Sequence, residues 1–331
     1  MEFIWNNFLS LLIIIGLITV IIFYIGDRLI FYANQLAVVT NISGAFIGFV
    51  LIAMITSIPE MVSTFISVKK GLINLAVSGV LGSNMLNIAL LSTIFLIFKD
   101  KKLKIEKSSI FSFVSSLILL GIIGFVIVLY PISNIIPNKY LVIFVFMIVY
   151  SFIMKQAYNL NEPEDKEESP LKEESPTKII ISFAFFSSII IGLSWILVSV
   201  CQQIALVDVP IYGQALGEYF VGSLILAIAT SIPELATTFQ IVRRGFTNMA
   251  VGNIAGSNIF NLLVLVLASL FSTQNLWIQI PFNSLYTIFL IFIVSLLICV
   301  IGLIKKESKI FTYTIYTVII ILWLYSLVLV F

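Results

Sequence analysis

Apolar runs of about 20 residues, separated by short polar clusters, recur along the whole chain. As a helix, a run of that length matches the hydrocarbon thickness of a bilayer. Ten such runs are read, at roughly 8–30, 43–68, 72–98, 108–130, 139–157, 178–204, 216–242, 246–271, 282–304 and 310–330. The pattern predicts an all-α membrane protein with ten transmembrane helices. The first run is too long for the apolar region of a signal peptide and has no basic stretch before it, so it reads as a span.

One segment breaks the pattern. Residues 159–177, NLNEPEDKEESPLKEESPT, are rich in Glu, Pro and Ser and read as a solvated acidic linker. The linker divides the chain into a first five-helix half, residues 1–158, and a second, residues 178–331. It is too short to hold a folded domain of its own.

Composition agrees with the pattern. Of 331 residues, 60% are hydrophobic and 10% charged, whereas a soluble domain carries about 25% charged residues. Such a chain cannot cover a water-facing surface, so the lipid bilayer is its main surrounding. The net charge of +2 gives no reason to expect a nucleic-acid partner. Histidine is absent, which removes the commonest transition-metal ligand and the usual proton relay. Cys201 and Cys299 lie in apolar runs and form no metal or disulfide motif. With ten spans, 15 of the 18 basic residues fall on one side, leaving Lys69, Lys70 and Lys139 on the other. The basic-rich side is expected to be cytoplasmic in a multi-pass protein of the cell membrane, with both termini outside and the linker inside. The sequence assigns no oligomeric state; a monomer is compatible with it.

The chain also matches itself without gaps at an offset of 174 residues. Residues 48–87 and 222–261 share 18 of 40 positions, among them the runs T-S-I-P-E and G-S-N-x-x-N. Shared hydrophobicity alone does not reproduce those motifs at fixed spacing. An odd number of spans separates the copies, so they must lie inverted in the membrane, as two inverted five-helix repeats. The basic pairs Lys69-Lys70 and Arg243-Arg244 occupy equivalent positions on opposite sides. Setting both pairs aside leaves 13 basic residues inside and one outside, which sharpens the orientation.

Each copy carries a carboxylate, Glu60 or Glu234, near the middle of an apolar span. A charge at that depth costs about 2.5–3.5 kcal/mol or more. A protonated, hydrogen-bonded acid serving helix association is the alternative at each position. Duplication of the same costly residue favours an ion site. Ala53, Thr56, Ser57 and Glu60 share a helix face, as do Ala227, Thr230, Ser231 and Glu234. Pro59 and Pro233 cannot donate to the carbonyls of Ile55 and Ala229 and are expected to break the spans. On the next helices Ser83 and Asn87 are four apart, as are Ser257 and Asn261. Only oxygen ligands are on offer, which suits Na⁺ or Ca²⁺; the latter takes about six to eight of them. Gly252-x-x-x-Gly256 and Ser78-x-x-x-Gly82 read as close helix contacts, Gly71 and Gly245 as turn residues. Asn74 and Asn248 lie beside those turns and are not expected to be ligands.

These paired motifs resemble the two alpha repeats of the sodium/calcium exchanger family, within the cation/calcium antiporter group and of the prokaryotic type. The resemblance implies a central cluster with one Ca²⁺ site and up to three Na⁺ sites. It implies Glu60 and Glu234 as shared carboxylate ligands, hydroxyls or carbonyls from Thr56, Ser57, Thr230 and Ser231, and carbonyls from Ala53 and Ala227. Ser83 and Ser257 would complete outer sodium sites, and Asn87 and Asn261 would close the middle. Two departures stand out. Asn261 occupies a position where related archaeal chains can have Asp, which leaves two formal negative charges. Ile55 and Ala229 stand where the family usually has Gly, and a bulky Ile55 bears on site volume and ion selectivity. The implied activity is exchange of Na⁺ for Ca²⁺ by alternating access, with spans one and six sliding past the rest. No cofactor is expected, the ions being the transported substrates. A proton-coupled exchanger of divalent cations is the main alternative and a passive cation channel a lesser one. No enzyme motif is present, neither G-x-S-x-G, H-E-x-x-H nor a phosphate loop.

Overall fold

The computed structural model describes residues 2–98, 106–133, 138–160, 175–206, 227–272, 275–280, 284–303 and 309–330. Among these residues the regular structure is entirely helical. We number the helices α1 Glu2–Thr40, α2 Gly44–Thr56, α3 Ile58–Lys69, α4 Ile73–Ile97, α5 Lys107–Ser133, α6 Lys139–Asn159 and α7 Pro176–Leu206. The second half continues with α8 Ala227–Thr230, α9 Ile232–Arg243, α10 Thr247–Ala268, α11 Leu276–Gln279, α12 Ser284–Leu303 and α13 Lys309–Val330. Among the described residues eight helices are long and apolar enough to cross a membrane, or nine with the bent pair α2–α3 counted as one broken span. The predicted span 216–242 is represented by α8 and α9; residues 216–226 lie outside the described residues, as does most of the linker, 161–174.

Burial sorts the spans into a core and a periphery. In the apolar stretches long enough to span, 72% of α4 and 78% of α10 is buried inside the protein, against 17% for α6 and 22% for α13. A helix apolar all round and covered on every side belongs at the centre. α10 accordingly touches α2, α3, α4, α5, α6 and α9. α1 and α7 pack mainly on each other. They also pack on opposite broken spans, α1 on α9 and α7 on α3. Residues predicted on one side of the membrane meet one another: Phe46 with Tyr158 and Phe95 with Tyr316 at one end, Phe65 with Phe271 at the other.

Small residues let α2 and α10 approach backbone to backbone. A methyl at Gly252 would strike the carbonyl oxygen of Ala45, one at Gly256 that of Phe49, and one at Gly48 that of Met249. The expected contact role of Gly252-x-x-x-Gly256 is therefore met. Without a hydrophobic drive between helices in lipid, this close fit supplies the attraction. The segment Gly48–Ile52, facing α10, is wound as a π-helical turn, a form often found beside functional sites. Gly71 and Gly245 have φ of 77° and 93° in the turns that return the chain, a conformation open to glycine without penalty.

The structure corrects the reading of the first span. It was expected to end near residue 30, yet α1 runs on to Thr40. Asp27 therefore lies in the body of the helix, where its carboxylate accepts from Arg244 at 2.8 Å and lies 3.6 Å from Arg243. Gln240 of α9 donates to the carbonyl of Phe23 one turn away. Polar contacts thus tie α1 to the end of α9.

Gly256→Ala is expected to cost about 1–3 kcal/mol by overpacking against the Phe49 carbonyl. The loss is read as a lower melting temperature of the solubilised chain. Gly121→Ala, where an added methyl meets nothing within 4 Å, should melt like the parent.

Candidate functional site

Both repeats break at the same residue. Between α2 and α3 the axis bends by 46°, and Ser57 at the break has φ −89° and ψ 7°. Ser231, between α8 and α9, has φ −85° and ψ 2°. Pro59 and Pro233 stand in the first turn of the helix that follows, where a missing N–H leaves no bond unmade. Glu60 and Glu234 occupy the same first turns. The free N–H groups and positive end of each half-helix therefore lie beside the carboxylate. The preceding half-helix ends there too, so its last carbonyls lack helical partners.

The two carboxylates are 3% and 0% exposed. Ser57 donates to Glu234 Oε1 at 2.9 Å across the repeats, and Ser257 approaches the same oxygen at 3.5 Å. Glu234 Oε2 and both carboxylate oxygens of Glu60 have no hydrogen-bond partner among the described residues. Thr56 and Thr230 turn their hydroxyls onto the carbonyls of Ala53 and Ala227, at 3.3 and 3.4 Å. These contacts leave hydroxyl lone pairs to spare. Ser83 of the first repeat meets Thr230 of the second at 3.2 Å. The Ser231 hydroxyl is buried.

Four asparagines join α4 to α10 where the repeats meet. Asn84 Nδ2 donates to the carbonyl of Asn258 at 3.1 Å, and Asn258 Nδ2 returns the bond to the carbonyl of Asn84 at 3.2 Å. Asn87 Nδ2 donates to Asn258 Oδ1, and Asn261 Nδ2 to Asn84 Oδ1, both at 3.0 Å. The amide oxygens of Asn87 and Asn261 are buried and have no partner among the described residues.

Direct contacts thus join Ser57 and Ser257 to Glu234, and Ser83 to Thr230. The remaining predicted residues enter through the two helix breaks and the asparagine network. Asn84 and Asn258 carried no predicted role, although their identity in both copies of G-S-N was a visible signal. Asn248, not expected as a ligand, accepts from the Glu106 N–H and the Ser109 hydroxyl at the start of α5, both at 3.0 Å. Ile55, beside Thr56, is buried in the main apolar core.

The repeats differ one turn beyond the glutamates. A narrow pocket reaches Glu60 between Ser63, Thr64, Gly79, Ser83 and Thr230. In the second repeat Asn253 stands where Gly79 does in the first. Its amide donates to Thr237 and Thr238 at 3.3 and 3.0 Å and is fully buried. A side chain therefore fills on one side the space that stays open on the other.

The sequence model of the family described as "Sodium/calcium exchanger protein" matches residues 10–156 and 178–331. The inner membrane protein YrbG of Escherichia coli (strain K12) is 27% identical over 260 residues, 77% of each chain. The sodium/calcium exchanger MaX1 of Methanosarcina acetivorans is 44% identical over 52 residues, 15% of each chain. In fold, the sodium-calcium exchanger NCX_Mj soaked with 10 mM Na⁺ and 10 mM Sr²⁺ superposes with a TM-score of 0.72 at 19% identity. That match covers 96% of this chain and 98% of the other.

The asymmetry can be measured by thiol labelling in a chain with Cys201 and Cys299 replaced by Ser. Ser63→Cys is expected to react several-fold faster than its repeat equivalent Thr237→Cys. Adding Gly79→Asn should slow the Ser63→Cys reaction. Equal rates at both positions would mean that Asn253 does not close its side.

Proposed function

Because the chain belongs to the sodium/calcium exchanger protein family, we propose that it exchanges Na⁺ for Ca²⁺ across the cell membrane by alternating access. The observation that carries the reading is the set of three carboxylate oxygens on Glu60 and Glu234 that are buried without a hydrogen-bond partner among the described residues. An ionised carboxylate in that setting costs several kcal/mol unless a cation or a proton completes it. The surroundings supply hydroxyls, amide oxygens and helix-end carbonyls, the ligand chemistry of hard cations.

On this reading Glu60 and Glu234 are the shared ligands of Ca²⁺ or Na⁺. Thr56, Ser57, Thr230 and Ser231 contribute hydroxyl or carbonyl oxygens, and Ala53 and Ala227 contribute carbonyls. Ser83 and Ser257 lie at the outer sodium positions, and Asn87 and Asn261 close the centre. The halves 1–158 and 178–331 act as inverted repeats with the 159–177 linker between them, on the cytoplasmic side. Both termini face outward. The cluster carries a charge of −2, satisfied by one Ca²⁺ or by several Na⁺ but not by both. If only loaded states cross, competition becomes obligatory exchange. α1 and α7, the pair that packs on the broken spans from outside, would be the elements that slide. Exchange of three Na⁺ for one Ca²⁺ moves one net charge, so about 2.3 kcal/mol per 100 mV enters the driving force.

Vesicles holding the purified chain and loaded with Na⁺ should take up Ca²⁺ when an outward Na⁺ gradient is imposed, and take up little without it. Equal uptake driven by a proton gradient in Na⁺-free buffer would replace Na⁺ coupling by H⁺ coupling. Flux without any counter-ion would mean a channel. Glu60→Gln and Glu234→Gln, which keep shape but remove charge, are each expected to abolish exchange while the solubilised protein stays monodisperse. Full exchange by either variant would move the site elsewhere.

A further inference from the structure

We infer that Asn84 and Asn258 are positioning residues, each of which fixes which edge of the opposite repeat's amide, Asn261 or Asn87, faces the ions. The inference rests on the reading of Asn87 and Asn261 as cation ligands, and it starts from an atom with no choice. The backbone carbonyl of Asn258 can only accept. The amide edge of Asn84 that meets it at 3.1 Å must therefore be Nδ2. That places Asn84 Oδ1 on the other edge, against the side chain of Asn261 at 3.0 Å. An oxygen there can only accept, so Asn261 must present Nδ2 to it. Its own Oδ1 is then turned away from the network, buried and unpartnered.

The same chain of necessity runs in reverse through the second copy. The Asn84 carbonyl fixes Asn258 Nδ2, Asn258 Oδ1 fixes Asn87 Nδ2, and Asn87 Oδ1 is left over. A main-chain atom of one repeat thus sets the polarity of a side-chain ligand two bonds away. Freed of Asn84, the Asn261 amide can turn its N–H edge inward, where a cation would meet a donor instead of an acceptor.

The geometry also bears on site charge. A carboxylate at position 261 would set an acceptor against Asn84 Oδ1, itself pinned by the Asn258 carbonyl. The network therefore favours an amide at positions 87 and 261, and with it a cluster whose formal charge comes from Glu60 and Glu234 alone.

The test is a set of double-mutant cycles on the purified full-length chain, with Ca²⁺ affinity read from the Ca²⁺-dependent rise in melting temperature. Asn84→Ala and Asn258→Ala should each weaken Ca²⁺ binding about 10–100-fold, the usual cost of losing a group that orients a ligand. The pairings decide the matter. Asn84→Ala should cost little more once Asn261→Ser is present, and Asn258→Ala little more once Asn87→Ser is present. The same-helix pairs, 84 with 87 and 258 with 261, should couple less strongly than these cross-repeat pairs. Additive losses in all four cycles would overturn the positioning role, as would wild-type affinity in both alanine variants. If Asn84→Ala and Asn258→Ala both aggregate, and Asn84→Ser and Asn258→Ser do too, the network belongs to the fold and the inference fails. A parent chain whose melting temperature does not respond to Ca²⁺, and which takes up no Ca²⁺ under a Na⁺ or H⁺ gradient, overturns the functional reading and this one with it. An active parent with additive cycles overturns only this one.

Discussion

Two carboxylates buried in one helical core set the terms for everything around them. Among the described residues three of their four oxygens have no hydrogen-bond partner, and a bilayer offers no water to supply one. A soluble protein could leave such groups at its surface. Here the chain must bring them to where half-helix N-termini, hydroxyls and amides converge. The break at Ser57 and the break at Ser231 do that job. Each converts a continuous span into two ends, one rich in free N–H groups beside the glutamate and one rich in free carbonyls across from it. Proline follows each break because the first turn is the one place in a helix where its missing N–H costs nothing.

Bringing two breaks together requires that the helices carrying them approach closely. The contact of Gly252 and Gly256 with the Ala45 and Phe49 carbonyls sets the separation of α2 and α10. The reciprocal asparagine bonds set that of α4 and α10. Both devices depend on the inverted repeat, because an atom in one copy is answered by an atom of the other. The symmetry is incomplete where access is concerned. Glu234 accepts from Ser57 and is approached by Ser257, whereas Glu60 faces a pocket. One exchange of residue type, Gly79 against Asn253, accompanies that difference, and it makes the two sides of the site unequal in the conformation described.

Much of this was legible in the sequence because lipid and repetition both leave strong marks. Spans follow from hydropathy, the inversion from an odd number of intervening spans, and the candidate oxygens from identities such as Thr56 with Thr230 and Ser83 with Ser257. What escaped has physical reasons. The edge that an asparagine presents depends on a main-chain carbonyl in a helix some 170 residues distant, so Asn84 and Asn258 looked no different from any motif residue. The helical extension of α1 to Thr40 was hidden because Asp27 and Arg28 resemble the polar end of a span; in the structure the helix carries Asp27 past that point, paired with Arg244. That Ile55 is buried in the apolar core could not be read from the sequence, which gives a residue's neighbours along the chain and not the face it takes.

The charge of the cluster links these details to the proposed exchange. With amides at 87 and 261 the formal charge stays at −2, which one Ca²⁺ cancels. Two Na⁺ would also cancel it, and a third would leave the loaded cluster positive. An empty cluster keeps two like charges facing each other in a medium of low dielectric, where their repulsion is several times that in water. Crossing while empty is thus the costly option, and crossing with either load is the cheaper one. On the proposed reading, that difference couples the two opposed fluxes. A third carboxylate at position 261 would make the empty state costlier still and leave Ca²⁺ short of neutrality. The asparagine network that disfavours one therefore acts on the coupling as well as on the geometry.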